Sequence, residues 1–189
     1  MIELSLNDAR EIHALAHPVR LAIIDLLRER EAATATECAP LVGESVQSCA
    51  YHLRTLAKLG VVEEVESGDR RKRRWRLRVV GFSVPKIVPA PPQREAAWSE
   101  LRGRIVERDI GILRDFIEGE HSFRPEQRRL STLRNLTLHA TPEELDRLAD
   151  EVSALLRRYA RDELAKRPQG SERVHAVFWL IPRREGEAR

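Results

Sequence analysis

Between positions 70 and 78 the chain reads Arg70, Arg71, Lys72, Arg73, Arg74, Trp75, Arg76, Leu77, Arg78: seven cations with no carboxylate among them. Like charges this close repel one another, so the run asks either for open water or for a polyanion alongside. A nucleic-acid backbone is such a polyanion. Each phosphate neutralised releases condensed counterions, which gives sequence-independent affinity and a steep salt dependence. Alternation along a strand would put Arg71, Arg73, Trp75 and Leu77 on one face and Lys72, Arg74, Arg76 and Arg78 on the other, leaving charge on both. The competing reading is a solvated edge strand that its charge protects from aggregation.

The segment just upstream gives the basic run a neighbour. Ser45 is placed to cap a helix from Val46 to Leu59, whose Val46, Cys49, Ala50, Leu53, Leu56 and Ala57 share one face. Gln47, Ser48, Tyr51, Thr55 and Lys58 then project outward, with His52 and Arg54 at the edges. Hydrogen-bonding side chains near the amino end of such a helix are what major-groove readout requires. Gln47 can pair with adenine, Ser48 suits several bases, and Tyr51 can reach a base methyl or a phosphate. Many surface helices are polar, so this face gains meaning only from the hairpin beside it. The candidate contacts to double-stranded DNA are therefore Ser45, Gln47, Ser48, Tyr51, His52, Arg54, Thr55 and Lys58 on the helix, with Arg70, Arg71, Lys72, Arg73 and Arg74 on the hairpin.

These residues need a scaffold, and the first eighty positions read as one. Asn7 can cap a short helix bearing Ile12, Leu15 and Ala16. Pro18 then opens a second, on which Val19, Ala22, Ile23, Leu26 and Leu27 recur at helical spacing. Thr34 and Glu37 form a capping box for a third helix, strained by Pro40 and ended by Gly43. Gly60 stops the fourth. Val61 to Glu66 and Arg70 to Val79 read as two strands joined by a turn at Ser67-Gly68-Asp69. Pro85, Pro89, Pro91 and Pro92 mark a stiff linker.

Beyond the linker the pattern becomes helix, strand, helix, strand. Residues 94 to 118 carry one apolar stripe of Trp98, Leu101, Ile105, Ile112 and Phe116 and an adjoining one of Val106, Ile110, Leu113 and Ile117, so this helix must meet two surfaces. Leu130 to His139 reads as a strand, Thr141-Pro142-Glu143-Glu144 as a capping box opening another helix, and Val174 to Ile181 as a strand covered on both faces. The expected fold class is mainly α with small β elements: a winged helix-turn-helix over residues 1–80, a proline-rich linker over 81–93, and a dimerisation and candidate effector domain over 94–189. Trp98, Leu101, Ile105, Ile112 and Phe116 are the candidate dimer contacts, burial of both stripes within one subunit being the alternative.

Composition bounds the classes of function. Apolar residues at 42% suffice for a real core, so the chain reads as globular rather than disordered. The amino terminus lacks the basic-then-apolar layout of a signal peptide, and no apolar run approaches the roughly 20 residues that cross a bilayer. A cytoplasmic protein without membrane partners is expected. The nine glycines are dispersed, with no phosphate-cradling loop, and the histidines fall singly, so neither catalysis nor a cofactor is expected. Cys38 and Cys49 lie in neighbouring helices, either as buried thiols or as a disulfide. With His121, His139 and His175 isolated, they supply no convergent metal site.

Three stretches also match a known pattern: Ala16-His17-Pro18-Val19-Arg20-Leu21, Ala50-Tyr51-His52-Leu53-Arg54-Thr55-Leu56, and Leu59-Gly60-Val61-Val62-Glu63. Over residues 8 to 78 the chain resembles the ArsR-type winged helix-turn-helix transcription regulators, actinobacterial members above all. The resemblance implies that the helix holding Tyr51-His52-Leu53-Arg54 enters the major groove with the hairpin beside it, in a bacterial, nucleoid-associated homodimer that represses transcription until a ligand relieves it. A serine common in the family two residues before the histidine is replaced here by Ala50, which removes its hydroxyl contact. Paired cysteines that sense metals in some relatives are incomplete. The alternatives to duplex DNA are a winged module that binds RNA or protein, and a thiol- or metal-responsive regulator using Cys38 and Cys49.

Overall fold

The computed structural model describes residues 6, 8–65, 73–78, 91–160 and 168–182. The chain is mostly helical with a two-stranded antiparallel sheet, and it divides into two compact units that meet in sequence between Ile110 and Gly111.

The first unit opens with α1 (Ala9–Leu15), capped by Asp8, whose carboxylate accepts from the Arg10 backbone N–H at 3.1 Å while Glu11 reaches back to complete a capping box. The expected cap, Asn7, lies outside the described residues. In α2 (Pro18–Glu29) the cap is His17, whose ring nitrogen Nδ1 accepts from the Val19 N–H at 3.3 Å, and Pro18 takes a position where no donor is needed. Thr34 and Glu37 form the expected box at the start of α3 (Ala35–Val42), and Gly43 ends that helix at a φ of 71°, a conformation that favours glycine. Ser45 caps α4 (Val46–Lys58) by accepting from the Ser48 N–H at 3.0 Å.

The wing consists of β1 (Val62–Val65) and β2 (Arg74–Leu77), paired in the register Val62 to Leu77, Glu63 to Arg76, Glu64 to Trp75 and Val65 to Arg74. Trp75 also exchanges both backbone hydrogen bonds with Ala33, at 2.8 and 2.9 Å, which ties β2 on its other side to the connection between α2 and α3. Its indole closes a core of Ile12, Leu15, Ile23, Ile24, Cys38, Cys49, Leu53, Leu56, Val61 and Val62.

The first unit runs on to Ile110. Helix α5 (Pro92–Glu118) begins inside it: Ala97 and Leu101 are fully buried in the same core, with Trp98 and Ile105 packed against them. A side-chain hydrogen bond and an ion pair fasten the helix. The His13 ring nitrogen lies 2.6 Å from a Glu100 carboxylate oxygen, and Arg108 approaches Asp25 at 3.6 Å while Asp25 holds Arg28 at 2.8 Å. Arg108 also donates to Asp109, whose side chain is buried. Of the first stripe of α5, Trp98, Leu101 and Ile105 thus cover the winged core, while Ile112 stays 36% exposed and Phe116 lies beyond it.

The second unit carries the end of α5, a single 3-10 turn (Glu120–Ser122), a short α6 (Pro125–Arg128) and α7 (Pro142–Arg157). Thr141 and Glu144 close the expected capping box on α7. Phe116 meets Phe123 at a centroid separation of 5.3 Å, and Glu172 binds both Arg124 and, at 3.2 Å, Gln127. The strands expected over 130–139 and 174–181 are absent among the described residues. Leu130, Leu133, Leu136 and Leu138, and the nearly continuous apolar run over 174–181, could serve a strand, but a strand also needs a hydrogen-bonded ladder, and neither segment has one here. Leu133 accordingly stands 86% exposed.

If α5 belongs to the winged core, Leu101→Ala should lower the unfolding free energy by about 2 to 5 kcal/mol, as a core truncation does. Urea unfolding followed by tryptophan fluorescence measures this, and a loss below about 0.5 kcal/mol, typical of a surface site, would contradict the assignment.

Candidate nucleic-acid interface

Helix α4 is held by one edge and displayed by the other. Cys49, Leu53 and Leu56 are fully buried, and because they recur at helical spacing they leave Gln47, Tyr51, Arg54 and Lys58 aligned along the exposed side. Ser48 and Thr55 flank that stripe half-buried. The Thr55 hydroxyl donates to the Tyr51 carbonyl at 3.0 Å, and the Ser45 hydroxyl is occupied by its cap. The outward set read from the helical wheel is therefore brought together on one surface.

His52 is placed differently from the edge position expected of it. It is only 6% exposed and accepts a hydrogen bond at Nδ1 from Arg20 Nε, 3.2 Å away. Arg20 is itself buried, and its guanidinium also donates to the Ala14 carbonyl at the end of α1. His17 lies against His52 with ring centroids 4.6 Å apart, and Tyr51 meets His52 edge-on at 5.3 Å. Burial pushes the pKa of both imidazoles below the ordinary value, and the Arg20 charge lowers each further, while Glu44 acts weakly in the opposite sense. His52 thus seats the helix instead of presenting a side chain to solvent. Neither this position nor the role of Arg20 was singled out by the sequence pattern, although both residues fall within the matching stretches.

The wing carries less unbalanced charge than its basic run suggests, because its partner strand is acidic. Glu63, opposite Arg76, accepts from it at 2.7 Å and also lies 3.5 Å from Arg78, while Glu64 pairs with Arg73 at 3.7 Å. Between positions 61 and 78 four carboxylates stand against the seven cations. These pairs are solvent-exposed and individually worth about 0 to 1 kcal/mol, so an approaching phosphate can displace them. Arg74 turns towards the protein instead. It donates to the Ala32 carbonyl at 2.8 Å and reaches Glu37 at 3.5 Å, pinning the wing to the helices. Glu37 is held below the usual carboxylate range, chiefly by the Thr34 backbone N–H and further by Arg74. Arg73 is exposed, and Arg70, Arg71 and Lys72 lie outside the described residues.

Cys38 and Cys49 are both free and buried; desolvation pushes the Cys38 thiol up to about 11 and raises Cys49 as well, so the reactive thiolate is scarce at neutral pH. Among the described residues no group of three or more His, Cys, Asp or Glu side chains could hold a metal ion, and no helix is long and apolar enough to cross a membrane.

Residues 15–65, from the end of α1 through β1, match a family model described as a helix-turn-helix domain. The chain carries a helix-turn-helix domain. No curated protein sequence matches the chain. Among solved structures, the apo form of the C30AH42A mutant of ZitR from Lactococcus lactis shares 16% identity at a TM-score of 0.35, over 76% of this chain and 83% of that one. A transcriptional regulator homologue from Pyrococcus horikoshii OT3 shares 19% identity at a TM-score of 0.33, over 55% of this chain and 94% of that one. Superpositions this loose carry no inference about the second unit or about function.

Neighbouring Arg73 and Arg74 should separate on mutation. Arg74→Ala should cost about 1 to 3 kcal/mol by leaving the Ala32 carbonyl without its donor and removing one partner of Glu37, whereas Arg73→Ala should change stability by less than about 0.5 kcal/mol. Equal losses in denaturant unfolding would remove the structural role given to Arg74.

Proposed function

We propose that this protein is a cytoplasmic, nucleoid-associated transcription regulator that binds double-stranded DNA sequence-specifically as a homodimer. The observation that carries this reading is the alignment of Gln47, Tyr51, Arg54 and Lys58 on the exposed edge of α4, directly after a helix-turn-helix bend and beside a basic wing. Gln47 sits one residue into the helix, where a side chain can reach a base edge once the helix end enters a groove. Arg54 and Lys58, further along, are positioned for phosphates. The resemblance of residues 8 to 78 to ArsR-type regulators favours repression, with the second unit as the candidate site of an effector.

Dimerisation follows from the shortness of one reading helix. One helix covers few base pairs, and two half-sites a turn apart, about 34 Å, supply the missing discrimination. With Leu101 committed to the core, the dimer surface passes to the other stripe of α5, where Val106, Ile110, Leu113 and Ile117 stand 38%, 41%, 42% and 61% exposed. Their alternating spacing of four and three is that of a coiled-coil seam. Glu107 and Arg114 flank it on one side, so two antiparallel copies would set each glutamate against the partner's arginine.

Fluorescence anisotropy with a duplex enriched by the purified protein from genomic fragments tests the reading. Replacing Arg71, Lys72 and Arg73 with alanine should weaken all sequences alike and reduce the salt slope by about one unit per lost phosphate contact. Gln47→Ala should instead relax discrimination at one base pair, at a cost of about 1 to 3 kcal/mol. Stronger competition by duplex RNA, or an absence of any enriched duplex, would refute the assignment.

The dimer has its own check. Leu113→Arg should shift sedimentation towards the monomer and weaken operator binding while the winged unit stays folded by circular dichroism. A variant that still sediments as the wild type does would move the interface elsewhere.

A further inference from the structure

Of the groups that direct DNA contact leaves unused, the buried cluster under α4 is the most constrained. Arg20 from α2 donates through Nε to His52 Nδ1 at 3.2 Å, and the Val19 N–H points at His17 Nδ1 at 3.3 Å. A nitrogen that accepts a hydrogen bond carries no proton, so each ring is neutral with its hydrogen on Nε2. The arrangement holds only in that state. A proton arriving at His52 Nδ1 would abolish the Arg20 bond and set an imidazolium against a buried guanidinium on one side and the His17 ring, 4.6 Å away, on the other.

The remaining groups facing His52 do not offset this. Tyr51, on the same helix, is an edge-on neighbour and interacts with Arg20, and the Ala14 carbonyl is already engaged by that arginine. Among the described residues Glu44, in the turn before α4, is the carboxylate that acts on both rings, and its influence is smaller than those of burial and Arg20.

We propose that Arg20, His52 and His17 form an acid-sensitive latch on the reading helix, whose protonation at His52 unseats α4 and weakens DNA binding. The inference rests on the functional reading above for its consequence, but the latch itself is a property of the first unit. The sign follows from linkage. Both imidazoles have folded-state pKa values below the unfolded value of about 6.5, so their contribution is complete above that pH and is lost as pH falls through the folded values.

Two measurements on the full chain decide it. In the first, nitrogen-15 NMR of the wild-type histidine rings should show His52 neutral with the proton on Nε2 and titrating below the ordinary imidazole range. In the second, the affinity for the enriched duplex is followed from about pH 7.5 down through the pH at which the NMR shows His52 titrating, at fixed ionic strength. Below the pH at which His52 titrates, wild-type affinity should fall, approaching about tenfold per pH unit for one proton taken up, and the fall should flatten in His52→Gln, whatever the absolute affinity of that variant. Parallel profiles for the two proteins, a proton on Nδ1, or titration at or above the ordinary value would overturn the latch. If no duplex is enriched at any pH, the functional reading fails, and the NMR titration by itself still upholds or overturns the latch.

Discussion

Everything the first unit can present to a partner depends on the buried edge of α4. Cys49, Leu53 and Leu56 are excluded from water by residues of α2, α3 and β1, and a helix fixed along one edge has no freedom in what its other edge displays. Rotating α4 enough to hide Tyr51 would drag Leu53 into solvent, at a cost of about 2 kcal/mol for that side chain alone. The apolar contact is non-directional, however, and by itself tolerates small rotations. The Arg20 to His52 hydrogen bond adds the direction.

Charge and packing act at different points along the single strand β2. Trp75 points into the core, and the backbone of the same residue pairs with Ala33, so the middle of the strand is anchored twice. Arg74 adds a third tether through the Ala32 carbonyl. Arg73, Arg76 and Arg78 face the carboxylates of β1 in exposed pairs that cost little to exchange. Such pairs keep the strand soluble when nothing is bound and give up their cations when a stronger anion arrives.

Much of the first unit was legible in the sequence, because its signals are local. A capping residue and the apolar period behind it locate a helix without knowledge of the rest of the chain, as at Thr34 and Ser45, and again at Thr141 in the second unit. What could not be read locally was which partner each apolar stripe would choose. Leu101 and Ile110 are equally apolar and share a helix, yet one is sealed in the winged core and the other faces solvent. The segments over 130–139 and 174–181 failed for a related reason: an apolar run records a capacity to be buried in a sheet, and pairing needs a second strand in reach. At the site, the wheel found Gln47, Tyr51, Arg54 and Lys58 but placed His52 at an edge, since only the tertiary position of Arg20 draws that ring inward.

The double hydrogen bond between Ala33 and Trp75 has an evolutionary corollary. It clamps the hairpin at Trp75, and both bonds are made by the backbone of Ala33 and Trp75 alone. Loop length and composition beyond a clamp can drift without disturbing the helices beneath. A lineage could therefore retune how tightly the finger grips, by exchanging tip residues, while the reading helix keeps its aim.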